Sequence, residues 1–236
     1  MLNLTKNRVI KFTRDNGGYF GIIGAISMTV SALISFILNS SVNPSFNIVS
    51  YAVSDLVSGP MISSIIYSVG LIISSFCQIP TYISLINHFN NKENYIILFK
   101  VTALSSVFSI ISHNILSLVP LERNNLPLFL THGIAAGIHY VVGSVSLILI
   151  GIIEHFKIKV SKIIAIISFI TGALYSMVWI RYFLSLIVGI PDIFMNNSIQ
   201  WFTLAGIFLW SLFHGIFLIK AKQRDLENAK NNAKSL

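Results

Sequence analysis

The sequence predicts an all-α polytopic membrane protein with six transmembrane helices in one bundle, and three observations predict it. Six apolar stretches, each long enough to cross a bilayer core of about 30 Å, alternate with short polar connectors. Only 10% of the 236 residues are charged and the mean hydropathy is +0.78, whereas soluble domains carry about a quarter charged residues. Finally, 14 of the 16 Lys and Arg residues fall in alternate gaps between the stretches. Lys6, Arg8, Lys11 and Arg14 precede the first stretch, and Lys92 and Lys100 lie between the second and third. Lys157, Lys159 and Lys162 lie between the fourth and fifth, and Lys220, Lys222, Arg224, Lys230 and Lys234 follow the sixth. Basic residues accumulate on the cytoplasmic side, so both termini are expected inside the cell, with the plasma membrane as the expected location.

The elements follow in order. Residues 1–18 read as a basic cytoplasmic segment, 19–219 as the six-helix domain and 220–236 as a polar cytoplasmic tail. The first span covers about Tyr19 to Leu38, too long for a signal-peptide core, and is expected to be retained. Ser40 to Gly59 form an external segment in which Phe46, Val49, Val53 and Leu56 recur at helical spacing, predicting a short interfacial helix. Pro60 suits the first turn of the second span, about Met61 to Ile86, and Pro80 predicts a kink within it. The third span runs from about Tyr95 to Val119, the fourth from Leu128 to Ile153, the fifth from Ile163 to Ile187, and the sixth from Ile199 to Ile219.

Small residues mark expected helix contacts. Ser27, Ser31 and Ser35 share one stripe of the first span, and Gly133 with Gly137 forms a GxxxG in the fourth, where close backbone approach is the usual reason for such spacing. No internal repeat or inverted duplication is visible, which argues against a standard transporter plan. The lone Cys77 allows no intrachain disulfide. The net charge of +8 flanks apolar spans rather than forming a basic face, so no nucleic-acid partner is expected; membrane lipids are. Asn39-Ser-Ser and Asn196-Asn-Ser both fall on the expected external side as glycosylation sequons, the first close to the bilayer.

Ionisable side chains at membrane depth are expensive and mark function. Five pass that filter: His113, His132, His139, Arg181 and His214. At about 1.5 Å per residue, His113 and Arg181 lie about 9 Å outward of mid-span and His132 about 13 Å outward. His132 and His139 share a face of the fourth helix, together with Ala136 and Gly143. The common depth predicts a polar cavity open to the outside, lined by His113, His132, His139 and Arg181, with Asp55, Asp192 and Glu122 at its rim. Arg181 would be the anion partner through its bidentate fork, and Asp55 would orient a lining group or gate the entrance. Each residue also has a plainer reading. Arg181 can snorkel or pair structurally, His132 can be solvated at the interface, His139 can bond a neighbouring hydroxyl, and His214 reads as a satisfied core histidine.

Other chemistries are less well served. His113 and His132 make a poor axial haem pair, and with Asp55 a zinc set lacking any HExxH or HxxxH spacing, so no cofactor and no metal are expected. No GxSxG and no phosphate loop is present.

The stretch Asn47-Ile-Val-Ser-Tyr-Ala-Val-Ser-Asp-Leu56 resembles the "SDLG"-type signature of a prokaryotic six-span membrane family of unknown function. Thr131-His-Gly-Ile-Ala-Ala-Gly-Ile-His139, Gly189-Ile-Pro-Asp192 and the run from Trp201 to Trp210 sit where that family has similar elements. This chain has Val57 where the pattern has Gly, and Asp192 where Glu is usual. The family is itself similar to the eukaryotic damage-regulated autophagy modulators and to Golgi proteins that remodel GPI-anchor lipids. Over Gly18 to Ile219 the resemblance implies a six-helix bundle with both termini inside and a link to lipids, without an established activity.

The sequence thus predicts a membrane protein that binds a lipid headgroup or small anionic solute in an outer-leaflet cavity. Two alternatives stay open: an intramembrane lipid-modifying enzyme, His-based or metal-dependent, and a structural subunit associating with itself or with a membrane complex.

Overall fold

The computed structural model describes residues 2–89, 96–122, 124–156, 161–184 and 197–234. Six α-helices account for nearly all of them: α1 Leu2–Val42, α2 Met61–Phe89, α3 Ile96–Leu118, α4 Leu126–Phe156, α5 Lys162–Phe183 and α6 Ser198–Lys234. Each is long and apolar enough to cross a membrane. The chain is an all-α, multi-pass membrane protein.

The helices form a closed ring. Each packs on its neighbour in sequence, and α6 returns to pack on α1. Neighbours are antiparallel. Ser35 of α1 donates to the Ser63 carbonyl near the start of α2 (2.8 Å), while Thr81 near the end of α2 donates to Gly17 (3.0 Å). Around the closure, Phe36 of α1 meets Trp201 of α6 edge-on (5.4 Å between centroids), and at the far end Lys222 Nζ donates to the Asp15 carbonyl (2.8 Å). One end of the bundle therefore carries both termini, and the other carries the α1–α2 connector.

The distribution of side chains follows from lipid as solvent. The outside is aliphatic, with Ile37, Ile62, Leu104, Ile134, Ile170 and Phe202 all exposed. The interior is rich in Ser and Thr, among them Ser35, Ser63, Ser75, Thr81, Thr102, Ser146, Ser168 and Thr171, each at most 1% exposed. Lipid tails offer no hydrophobic preference for helix contact, so small residues that let backbones approach, and hydroxyls that bond across, hold the helices together. Some of these hydroxyls donate to a carbonyl of their own preceding turn, as Thr102 does to Leu98 (2.7 Å), while Thr171 reaches both Ile167 in its own helix (2.8 Å) and Gly206 of α6 (3.2 Å).

The Ser27–Ser31–Ser35 stripe is a contact face as expected. Ser27 Oγ donates to the Gly70 carbonyl (3.3 Å), and a Cβ on Gly70 would run into the Ser31 side chain. The closest approach of α1 to α6 is glycine on glycine: a Cβ on Gly18 would lie 2.6 Å from the Gly215 carbonyl, and one on Gly215 2.6 Å from the Gly18 carbonyl. The α4 GxxxG behaves differently. A Cβ on Gly133 or Gly137 would meet nothing within 4 Å, so this pair faces outward and packs no helix of the bundle.

Other expectations are modified. The basic residues 2–18 form the first turns of α1, and the polar residues 220–234 extend α6 as a helix. The α1–α2 connector is a series of turns followed by one 3-10 helix, Val53–Ser58, rather than a helix over Phe46–Leu56. Val49 is 54% exposed, but Phe46, Val53, Leu56 and Val57 are buried against the bundle, so this segment plugs the ring's end instead of floating beside it. Asn39 is 5% exposed and its amide donates to the Ser35 carbonyl (2.9 Å) and Ser63 Oγ (2.5 Å), so the first sequon is a packing residue. Arg123, Asp192 and Asn196, along with the Gly189–Asp192 element, lie outside the described residues.

Candidate functional site

A cavity of about 640 Å³, mouth included, occupies the interior of the ring at the end carrying the 3-10 helix. All six helices reach it: Met28 from α1, Tyr67 from α2, His113 from α3, His132, His139 and Tyr140 from α4, Tyr175 and Tyr182 from α5, and Gln200 and Thr203 from α6. Tyr182, 45% exposed, carries the wall to the surface beside α5.

The histidines meet because α4 presents one inner stripe. His132, Ala136, His139, Gly143, Leu147, Ile150 and Glu154 succeed one another at spacings of three and four and are all buried. His139 is held from two sides. Its Nδ1 lies 3.1 Å from the Ser109 carbonyl and 3.1 Å from Ser109 Oγ, while its Nε2 faces Tyr175 OH (3.2 Å) and His113 Nδ1 (3.5 Å). Gly143 makes room for this arrangement, since a Cβ there would lie 2.8 Å from the Tyr175 ring and 3.0 Å from Ser109 Oγ. His139, Tyr140 and Tyr175 pack edge-on as a triangle with centroid separations of 5.2–5.3 Å.

The remaining groups are placed from the rim. His132 Nδ1 lies 2.7 Å from the carbonyl of Val119, a residue just past the end of α3 whose oxygen has no helical partner. Asp55 closes the first turn of the 3-10 helix by accepting from the Ala52 N–H (2.7 Å). Gln200 Nε2 donates to Tyr182 OH (3.2 Å). His113 Nε2 is the exception: it is buried and has no hydrogen-bond partner among the described residues.

Of the residues singled out from sequence, His113, His132 and His139 line the cavity together. Asp55 belongs to the 3-10 helix whose Val53, Ser54 and Val57 line the cavity, and is not itself among the lining residues. Arg181 is not brought to the wall. Tyr175, Val178 and Tyr182 form the inward face of α5, and Arg181 sits about 100° around the helix from Tyr182, partly exposed. Glu122 lies in the α3–α4 connector and is not among the lining residues, and Asn114 is spent on α2–α3 packing, donating to Ser75 Oγ (2.6 Å) and the Ile110 carbonyl (3.0 Å). None of the described residues lining the cavity is Lys, Arg, Asp or Glu. Among the described residues, His113, His132 and Asp55 do not gather as a three-ligand metal group.

A second polar cluster lies nearer the terminal end. His214 Nε2 is 2.6 Å from Glu154 Oε1, and both side chains are wholly buried. Ser168 donates to Glu154 Oε2 (2.7 Å) and accepts from Trp210 Nε1 (3.0 Å), and His214 Nδ1 donates to the Trp210 carbonyl (2.6 Å). His214 is thus a satisfied core histidine, but its partner is a carboxyl group that ending the fourth span at Ile153 left outside the membrane. The tyrosines, Gln200 and Glu154 are what the sequence reading missed. The signal was present: Glu154 extends the α4 stripe, and Tyr175 and Tyr182 lie one heptad apart.

No family model, curated protein or solved structure matches this chain.

Proposed function

We propose that this protein binds the polar headgroup of a membrane lipid in the cavity between its helices, with the cavity end facing the extracytoplasmic side of the plasma membrane. The orientation rests on the Lys and Arg distribution: Lys11, Arg14, Lys100, Lys162, Lys220, Lys222 and Arg224 all belong to the terminal end. The observation that carries the binding reading is the convergence of His113, His132 and His139 with four tyrosines on one cavity inside the bundle. Ionisable and phenolic side chains gathered at membrane depth are expensive to hold and are typically kept for a ligand. Met28, Leu71, Leu116 and Leu204 supply apolar wall alongside them, as an amphiphile requires. The lipid link implied by the six-span family points the same way.

The test is lipid analysis of protein purified in mild detergent, compared with His132→Ala and His139→Ala variants of unchanged elution. Enrichment of one lipid class over the host membrane, lost in the variants, supports the reading. Identical lipid profiles in all three would overturn it.

One observation favours a second reading, a lipid-modifying enzyme. His113 is backed by His139, which is itself held by a backbone carbonyl, and a base oriented through a third group is the usual arrangement for proton abstraction. Turnover of a labelled lipid by wild type and not by His113→Gln would select it over binding alone.

A further inference from the structure

We infer that the group the cavity accepts is a primary ammonium, as in an aminoalcohol headgroup. This rests on the headgroup-binding reading and sharpens it. It departs from the anionic ligand that Arg181 suggested.

The inference comes from which hydrogens the histidines hold. The Ser109 carbonyl only accepts, and the Ser109 hydroxyl donates to the His139 carbonyl (3.4 Å), so His139 Nδ1 carries a hydrogen donated to Ser109 and its Nε2, in the neutral ring, is an acceptor. That acceptor faces both Tyr175 OH and His113 Nδ1, so the favourable arrangement puts hydrogens on both. His113 Nε2 is then a bare lone pair, and among the described residues it is one of three buried side-chain atoms without a partner, the one of the three that belongs to a residue lining the cavity. The same logic applies at the rim. His132 Nδ1 donates to the Val119 carbonyl, which in the neutral ring leaves Nε2 as an acceptor on a residue that lines the cavity. Two backbone carbonyls thus fix a chain of neutral imidazoles that present lone pairs.

What complements this wall is a donor. A phosphate or carboxylate would meet imidazole lone pairs of its own sign of charge, with no Lys or Arg among the described lining residues to compensate. A primary ammonium brings three N–H donors for the imidazole nitrogens and phenol oxygens, and the Tyr and His rings suit a cation. Asp55, in the 3-10 helix whose Val53, Ser54 and Val57 line the cavity, has the matching sign. A polyol satisfies the acceptors but gains nothing from the rings or from Asp55.

The experiment uses the full chain in nanodiscs of equal parts phosphatidylethanolamine, phosphatidylcholine and phosphatidylglycerol, with retained lipid read by native mass spectrometry after detergent release. In parallel, free ethanolamine, tetramethylammonium, myo-inositol and inorganic phosphate are titrated against detergent-solubilised protein. Retention of phosphatidylethanolamine, weakened roughly tenfold in His132→Ala as for one lost hydrogen bond to a charged group, is the expected result. Binding of ethanolamine without lipid retention keeps the ammonium assignment, identifies a soluble amine as its source, and ends the headgroup reading. Retention of phosphatidylglycerol, phosphatidylcholine, inositol or phosphate instead overturns the ammonium assignment and leaves a binding site of other chemistry. No retention and no binding overturns both. His132→Arg covers the case in which His132→Ala fails to fold: it places a cation in the wall and is expected to move retention from phosphatidylethanolamine to phosphatidylglycerol, and unchanged retention of the aminolipid would overturn the assignment.

Discussion

His214 of α6 and Glu154 of α4 meet across the terminal half of the ring, with 2.6 Å between Nε2 and Oε1 and no exposure of either side chain. The His214 Nδ1 hydrogen is committed to the Trp210 carbonyl, so the contact at Nε2 is either an imidazolium–carboxylate pair or a carboxylic acid donating to neutral imidazole. In both forms the group is neutral overall, which is what a membrane interior tolerates. Ser168 and Trp210 satisfy the remaining lone pairs and donors.

Removing one partner strands the other. Glu154→Ala and His214→Ala are each expected to lower stability by about 3–5 kcal/mol, the usual penalty for breaking a buried pair from one side. Replacing both with well-packed Leu is expected to recover most of that loss. Unfolding of the four proteins by steric trapping in bicelles checks it. A double variant no more stable than the singles would mean that the pair contributes more than mutual neutralisation.

The ring closes where Gly18 and Gly215 let α1 and α6 touch. Gly18→Leu forces the two backbones apart and is expected to destabilise by about 1–3 kcal/mol, as overpacking usually does. Gly133→Leu and Gly137→Leu, on the open face of α4, are expected to leave monomer stability unchanged. If these two instead lower an association constant measured by single-molecule photobleaching, the outward GxxxG is a self-association face.

Gly143→Ala tests the geometry of the histidine cluster without touching a polar atom. The added methyl meets the Tyr175 ring and Ser109 Oγ, the two groups that hold His139. Lipid retention is expected to fall about tenfold or more for a stability change of about 1–2 kcal/mol. Equal retention in the variant would show that His139 need not be held where it is.

Orientation is checked by labelling. Ser45→Cys in the α1–α2 connector is expected to react with an impermeant maleimide on intact cells, and Ser161→Cys at the start of α5 only after permeabilisation. Cys77 is buried and should stay silent in both. The reverse pattern would invert the topology.

How legible all this was in the sequence depended on whether a pattern reports spacing or direction. His132 and His139 could be placed on one face because spacing along a helix fixes their relative angle, and both line the cavity. Spacing cannot say which face turns inward, so the GxxxG of α4 read as a contact and proved to be surface. Depth alone put Arg181 level with His113, yet its angle on α5 keeps it off the wall. Glu154 was missed for the converse reason. Its charge led the span to be ended before it, although the apolar stripe continues straight through it. The cage of tyrosines was invisible because aromatic residues near a bilayer boundary have an ordinary role as interface anchors.

A photoreactive lipid carrying a diazirine on its headgroup tests the occupied cavity most directly. After irradiation in nanodiscs, adducts mapped by peptide mass spectrometry are expected on Tyr67, His132, Tyr140 and Tyr182, all of which line the chamber. Adducts confined to outward residues such as Ile134, Ile138 and Ile170 would show that headgroups never enter.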